Sequence, residues 1–143
     1  MDEDYKYFSI EATLQGGAAT WQTKQQDLPV VPVAVPKEFN GPGGGYSPED
    51  LFAMACTNCI IATFKVYIEL AKVTFSKLQA NTKLVVGKHP EEQYLAMLEL
   101  EISIHITGAS DKILVKKNLE QAVRNCAVCN SVKAKKIVRV TID

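Results

Sequence analysis

Cys56 and Cys59 stand three residues apart in "LFAMACTNCIIATF", and Cys126 and Cys129 repeat that spacing in "NCAVCN". Thiols at this separation can bind a metal, exchange a disulfide or simply fill a core. Structural zinc pairs sit in tight turns that aim both sulfurs at one point, whereas "ACTNC" lies in an apolar helical run without Gly or Pro. A thioredoxin-like site needs its attacking cysteine where a strand meets a helix, so that amide dipoles lower the thiol pKa. Cys56 falls about two turns inside its helix. No metal site is expected elsewhere: His89 lies in a turn and His105 on the polar face of a strand, with no carboxylate set beside either. "GPGGG" before a helix start invites a phosphate reading, but it lacks the Gly-Lys-Ser/Thr ending, and Glu49 and Asp50 would repel an anion there.

The elements that must position these thiols follow from periodicity. Tyr5 to Leu14 alternates, with Phe8, Ile10, Ala12 and Leu14 on one side, which predicts a half-buried strand. Gly16 and Gly17 turn the chain, and "ATWQTKQ" returns as a second strand. "LPVVPVAVPKEF" is β-rich but broken by Pro32 and Pro36, which cannot donate to a ladder, so it should be an edge strand or an extended crossing segment. Ser47 is a good N-cap, Pro48 suits the first helical position, and Glu49 and Asp50 complement the positive terminus of a helix that runs to about Ala71. Its apolar residues lie nearly all round, so it should be enclosed by other elements.

Beyond it, Leu78, Ala80, Thr82, Leu84 and Val86 share one strand face. Across "GKHPEEQ", Leu98, Leu100, Ile102, Ile104 and Ile106 share another, which predicts a long antiparallel hairpin. Ser110 or Asp111 can cap a second helix striped by Val115, Leu119 and Ala122, and "KKIVRVTID" closes the chain as a strand. The fold class is α+β: an antiparallel sheet, a long buried central helix and a second, C-terminal helix.

At 143 residues and 47% hydrophobic, the chain suits a single domain over residues 1–143. Sixteen basic and sixteen acidic residues leave no net charge, and Arg124 and Arg139 are the only arginines. There is thus no electrostatic case for nucleic acid or an anionic membrane. "MDEDYKYF" begins acidic without an apolar signal core, so a cytoplasmic, reducing setting is expected, where four cysteines argue against a permanent disulfide framework. The run from Leu51 to Phe64 is shorter than the about 20 apolar residues of a membrane span.

"SPEDLFAMACTNCIIATF" followed much later by "RNCAVCNSV" resembles the OsmC/Ohr family, the osmotically inducible and organic-hydroperoxide-resistance proteins. The resemblance rests on Ser47, Pro48 and Glu49 opening a long helix, on Cys59 ten residues after the glutamate, and on Cys126 near the end. It implies a peroxidase without metal or cofactor, acting in oxidative-stress defence. By position Cys59 would attack the hydroperoxide and become a sulfenic acid, Cys126 would resolve it as a disulfide, and Glu49 would hold the cation that favours the thiolate. Relatives point to a dithiol reductant such as a reduced lipoyl group. Cys56 and Cys129 are extra.

The family's arginine has no counterpart before Arg124; Lys37 in "VPKEF" is the candidate to replace it. Ala127 stands where the family has proline. The resemblance also implies an intertwined homodimer. Glu49 and Cys59, ten residues apart on one helix, are separated by about 15 Å of axis, so a shared role would cross a subunit boundary. The alternative reading is a non-catalytic member that binds a small apolar ligand or senses redox state.

Overall fold

The computed structural model describes residues 5–143. Met1–Asp4, which carry the acidic start, lie outside the described residues. The chain divides into two compact units, Met1–Leu51 and Phe52–Asp143.

In the first unit, strands β1 (Glu11–Thr13), β2 (Thr20–Lys24) and β3 (Val31–Ala34) form an antiparallel sheet in the order β1-β2-β3. The expected strand from Tyr5 to Leu14 is thus reduced to three residues. Its apolar side is bare, with Phe8 93% exposed and Ile10 and Leu14 also open to solvent. The alternation is real, but the described residues of this unit form no second layer over it. β3 is an edge strand, as Pro32 within it requires, and Pro36 lies beyond its end. Its outer side receives the returning chain: Tyr46 N–H donates to the Pro32 carbonyl (2.9 Å) and Ala34 N–H to the Tyr46 carbonyl (3.0 Å). The glycine-rich turn is sterically obligatory, since a Cβ on Gly41 would lie 2.2 Å from the Val35 carbonyl oxygen.

Helix α1 spans Pro48–Ala71. Its start is a reciprocal cap: Asp50 N–H donates to Ser47 Oγ (3.0 Å) and Ser47 N–H to Asp50 Oδ2 (2.9 Å). Within the second unit it buries a single stripe, Cys56, Ile60, Phe64 and Ile68, at a spacing of four. The expectation of all-round burial is not met inside one chain: Met54, Val66 and Leu70 are exposed. The helix is also longer than the uncharged run that argued against a span; by length and composition it could cross a membrane, with 22% of its apolar window buried.

The stripe packs with the β-hairpin of strands β4 (Lys77–Lys88) and β5 (Leu95–Thr107). Leu78, Ala80, Thr82 and Leu84 stand opposite Ile106, Ile104, Ile102 and Leu100, so the two predicted faces are one. A bulge at Val85/Val86 then sets Val86 against Met97. His89 organises the hairpin turn: its Nδ1 accepts from the backbone N–H groups of Glu91 (3.2 Å) and Glu92 (3.0 Å), and its ring stacks on Tyr94.

Helix α2 (Lys112–Arg124) is capped by Asp111, which accepts from Leu114 N–H at 3.0 Å, and buries Val115, Asn118, Leu119 and Ala122. A single-turn helix, α3 (Ala127–Asn130), leads to strand β6 (Lys135–Ile142). β6 pairs with β5 in parallel, so the sheet is mixed and not wholly antiparallel. The intervening helix explains this, because a crossover returns the chain to run in the same direction as the strand it left.

Phe64 is 1% exposed at the centre of this core. Phe64→Ala is expected to lower unfolding stability by about 3–5 kcal/mol, read as a lower urea midpoint at unchanged slope.

Candidate thiol site

α1 and the α3 turn bring the four cysteines together, all as free thiols. Cys56 and Cys126 are fully buried and Cys129 nearly so, while Cys59 is half-buried. Cys126 serves as the N-cap of α3, its sulfur accepting from Cys129 N–H at 3.3 Å. The Cys126 and Cys129 sulfurs both approach the carbonyl oxygen of Cys56, at 3.9 and 3.6 Å. The turn is anchored on two sides. Asn125 Nδ2 donates to Tyr67 Oη on α1 (2.9 Å), and Lys136 Nζ on β6 donates to the carbonyls of Cys129 (2.8 Å) and Val132 (2.7 Å).

This arrangement separates the thiols electrically. Burial pushes Cys59 up, as it does any thiol, but hydrogen bonds from Val128 N–H, the Cys126 thiol, the Thr63 hydroxyl and Ala127 N–H outweigh it and hold Cys59 below 9.0. Burial pushes Cys56, Cys126 and Cys129 above that value, and Cys126 adds repulsion on both Cys56 and Cys129. Cys59 is therefore the one member of the cluster disposed to be a thiolate, and Cys126 is hydrogen-bonded to it.

Sequence reasoning singled out Cys59 and Cys126, and these two do meet. The backbone donors of Ala127 and Val128 escaped it, because an amide has no letter of its own. The one available signal was Ala127 in the proline position, since proline has no N–H to offer. Thr63 and Lys136 also escaped it.

Glu49 and Lys37 belong to the first unit. Glu49 Oε2 is buried and has no hydrogen-bond partner among the described residues. Lys37 starts an exposed 3-10 turn, with its stem against Gly43. No group of three or more His, Cys, Asp or Glu among the described residues is arranged to hold a metal ion. A cleft of the second unit, about 820 Å³, runs past Phe52, His89, Tyr94, Leu95 and Val132 and contains no cysteine. The site is a point on a packed core, not the floor of that cleft.

Residues 41–141 match the family model described as OsmC-like protein. An uncharacterised protein of Acinetobacter baylyi is 28% identical over 133 residues, 93% of this chain and 91% of the relative. An OsmC-like protein of unknown function from Vibrio cholerae superposes with a TM-score of 0.83 at 13% identity, over 96% of this chain and 100% of that one. An organic hydroperoxide resistance protein from Elizabethkingia anophelis superposes with a TM-score of 0.73 at 23% identity, over 96% and 97% of the two chains.

Ala127 is the first residue of α3 and follows an extended Cys126 (φ −69°, ψ 107°), a backbone that accepts proline. Ala127→Pro should therefore fold normally but lose one N–H from the Cys59 sulfur. The alkylation rate of Cys59, followed against pH, is expected to show a midpoint below 9.0 in the parent and a higher midpoint in the variant. Equal midpoints would remove the amide from the site.

Proposed function

The chain belongs to the OsmC-like protein family, and from that premise we propose that it reduces organic hydroperoxides with a cysteine pair, Cys59 attacking and Cys126 resolving. The observation that carries this reading is the contrast within the cluster: Cys59 alone is held low, by donors that include the thiol of Cys126. The Cys59 thiolate attacks the peroxide oxygen, the O–O bond breaks, and the alkoxide leaves as the alcohol after taking a proton. Cys126 then attacks the sulfur of the resulting sulfenic acid, water departs and a Cys59–Cys126 disulfide forms. A dithiol reductant returns both thiols. The organic hydroperoxide resistance protein of similar fold from Elizabethkingia anophelis supports this substrate class.

The working unit in this reading is a cytoplasmic homodimer of one-domain subunits. Two features support a partner. The apolar sides of Phe8, Ile10 and Leu14, and of Met54, Val66 and Leu70 on α1, are uncovered in the single chain. Glu49 also keeps a buried oxygen without a donor, a position that in a complete site takes a cation, for which Lys37 is the candidate. A desolvated carboxylate oxygen without a partner costs about 1–3 kcal/mol or more, so the assembled protein should supply one.

Cys59→Ser should abolish consumption of cumene hydroperoxide with a dithiol reductant. Cys126→Ser should instead accumulate a sulfenic acid at Cys59, detectable by dimedone labelling. Retained turnover in Cys59→Ser would overturn the assignment. Co-refolding Glu49→Ala with Cys59→Ser subunits tests the shared site: heterodimers should recover about one intact site each. No recovery from proven heterodimers, with an active parent, would separate Glu49 from Cys59.

A further inference from the structure

Cys56 and Cys129 have no part in the two-thiol scheme, yet both are built into the cluster. The Cys129 thiol hydrogen-bonds Cys56 and lies 3.6 Å from the carbonyl oxygen of Cys56. Its backbone N–H meets the Cys126 sulfur at 3.3 Å. The thiols thus form a contact chain, Cys59 to Cys126 to Cys129 to Cys56. Its members are buried except at the Cys59 end.

We propose that Cys56 and Cys129 form a second dithiol that draws the disulfide away from Cys59 and Cys126, so that one subunit stores two oxidising equivalents. This rests on the reading of Cys59 and Cys126 as the peroxide-reactive pair. In the first exchange the Cys129 thiol loses its proton and attacks the Cys126 sulfur. The Cys59–Cys126 bond breaks, Cys59 leaves as a thiolate, and Cys126–Cys129 forms. In the second, the Cys56 thiol gives up its proton and attacks the Cys129 sulfur; the Cys126–Cys129 bond breaks, Cys56–Cys129 forms, and Cys126 leaves as a thiolate that takes up a proton. No external oxidant or reductant enters either step. Cys59 and Cys126 are then reduced and ready for another hydroperoxide.

The direction of transfer follows from the environment of each sulfur. A disulfide whose reduced form is stabilised is the stronger oxidant. Amide and hydroxyl donors stabilise the Cys59 thiolate, whereas burial disfavours the thiolates of Cys56 and Cys129. Exchange therefore runs toward the inner pair. It is slow at neutral pH, because the attacking thiol is seldom ionised, and quickens as pH rises.

The test titrates the fully reduced protein without oxygen or reductant, in one arm with diamide, which oxidises dithiols without peroxide chemistry, and in the other with cumene hydroperoxide. After one equivalent per subunit and equilibration, acid quenching, alkylation and peptide mapping should find mainly Cys56–Cys129, with Cys59 alkylated. Two equivalents should be taken up in all, ending with both disulfides. Cys129→Ser, or Cys129→Ala where serine impairs folding, should halve the uptake and leave Cys59–Cys126. Uptake by the parent that stops at one equivalent, or a dominant Cys59–Cys126 bond at equilibrium in the diamide arm, overturns the proposal. If the diamide arm gives Cys56–Cys129 while no hydroperoxide is consumed, the inner pair stands and the peroxidase reading falls.

Discussion

A thiol taken out of water gives up its proton only where other dipoles replace the water, and at Cys59 these are the first amides of α3 together with the Cys126 thiol and the Thr63 hydroxyl. Most of the second unit can be understood as a mount for this one turn. Asn125 ties its entrance to Tyr67, and Lys136 ties its exit carbonyls to the start of β6. The Asp111 cap and the buried stripe of α2 fix where the preceding helix ends. The parallel pairing of β6 with β5 then holds Lys136 in place from below. Loosening any of these would move the Ala127 and Val128 N–H groups by fractions of an ångström, and hydrogen bonds weaken steeply with misalignment.

Stabilising a thiolate with amides differs physically from doing so with a cation. A guanidinium acts over several ångströms, whereas an N–H acts on the atom it touches. The field at Cys59 is correspondingly local, and at the other three sulfurs burial prevails and pushes the thiols up. The chain has few arginines and no net charge, and the amides at Cys59 act through contact alone.

What the sequence made legible was whatever repeats with a period or punctuates one. α1 is bounded by Ser47 and Pro48 and by the end of its apolar run, and the hairpin faces are legible from Leu78 to Leu84 and from Leu100 to Ile106, where alternation of apolar side chains is strong, while the bulge that sets Val86 against Met97 is not. The parallel last strand was not legible, because a strand's direction depends on the crossover before it and not on its own residues. Burial at the amino-terminal strand and around α1 was over-read for a related reason. Periodicity reports that a face wants cover, and says nothing of whether the same chain provides it. The thiol contrast was hidden altogether, since it arises from backbone groups and from which sulfur sits nearest them.

The stripe of α1 has a consequence in time as well as in space. Cys56, Ile60, Phe64 and Ile68 pack with Leu100, Ile102, Ile104 and Ile106, and the sheet is completed by a strand ending at Ile142. All of these partners are translated after the helix. At about 5–20 residues per second, some 4–15 s pass between the synthesis of Ile68 and that of Ile142. During that interval the ribosome carries a long apolar helix whose receiving surface does not yet exist. Early solubility of this chain is therefore governed by the order in which it is made, and a slower decoding of β4 to β6 would lengthen the most vulnerable moment of its life without altering a single contact in the finished fold.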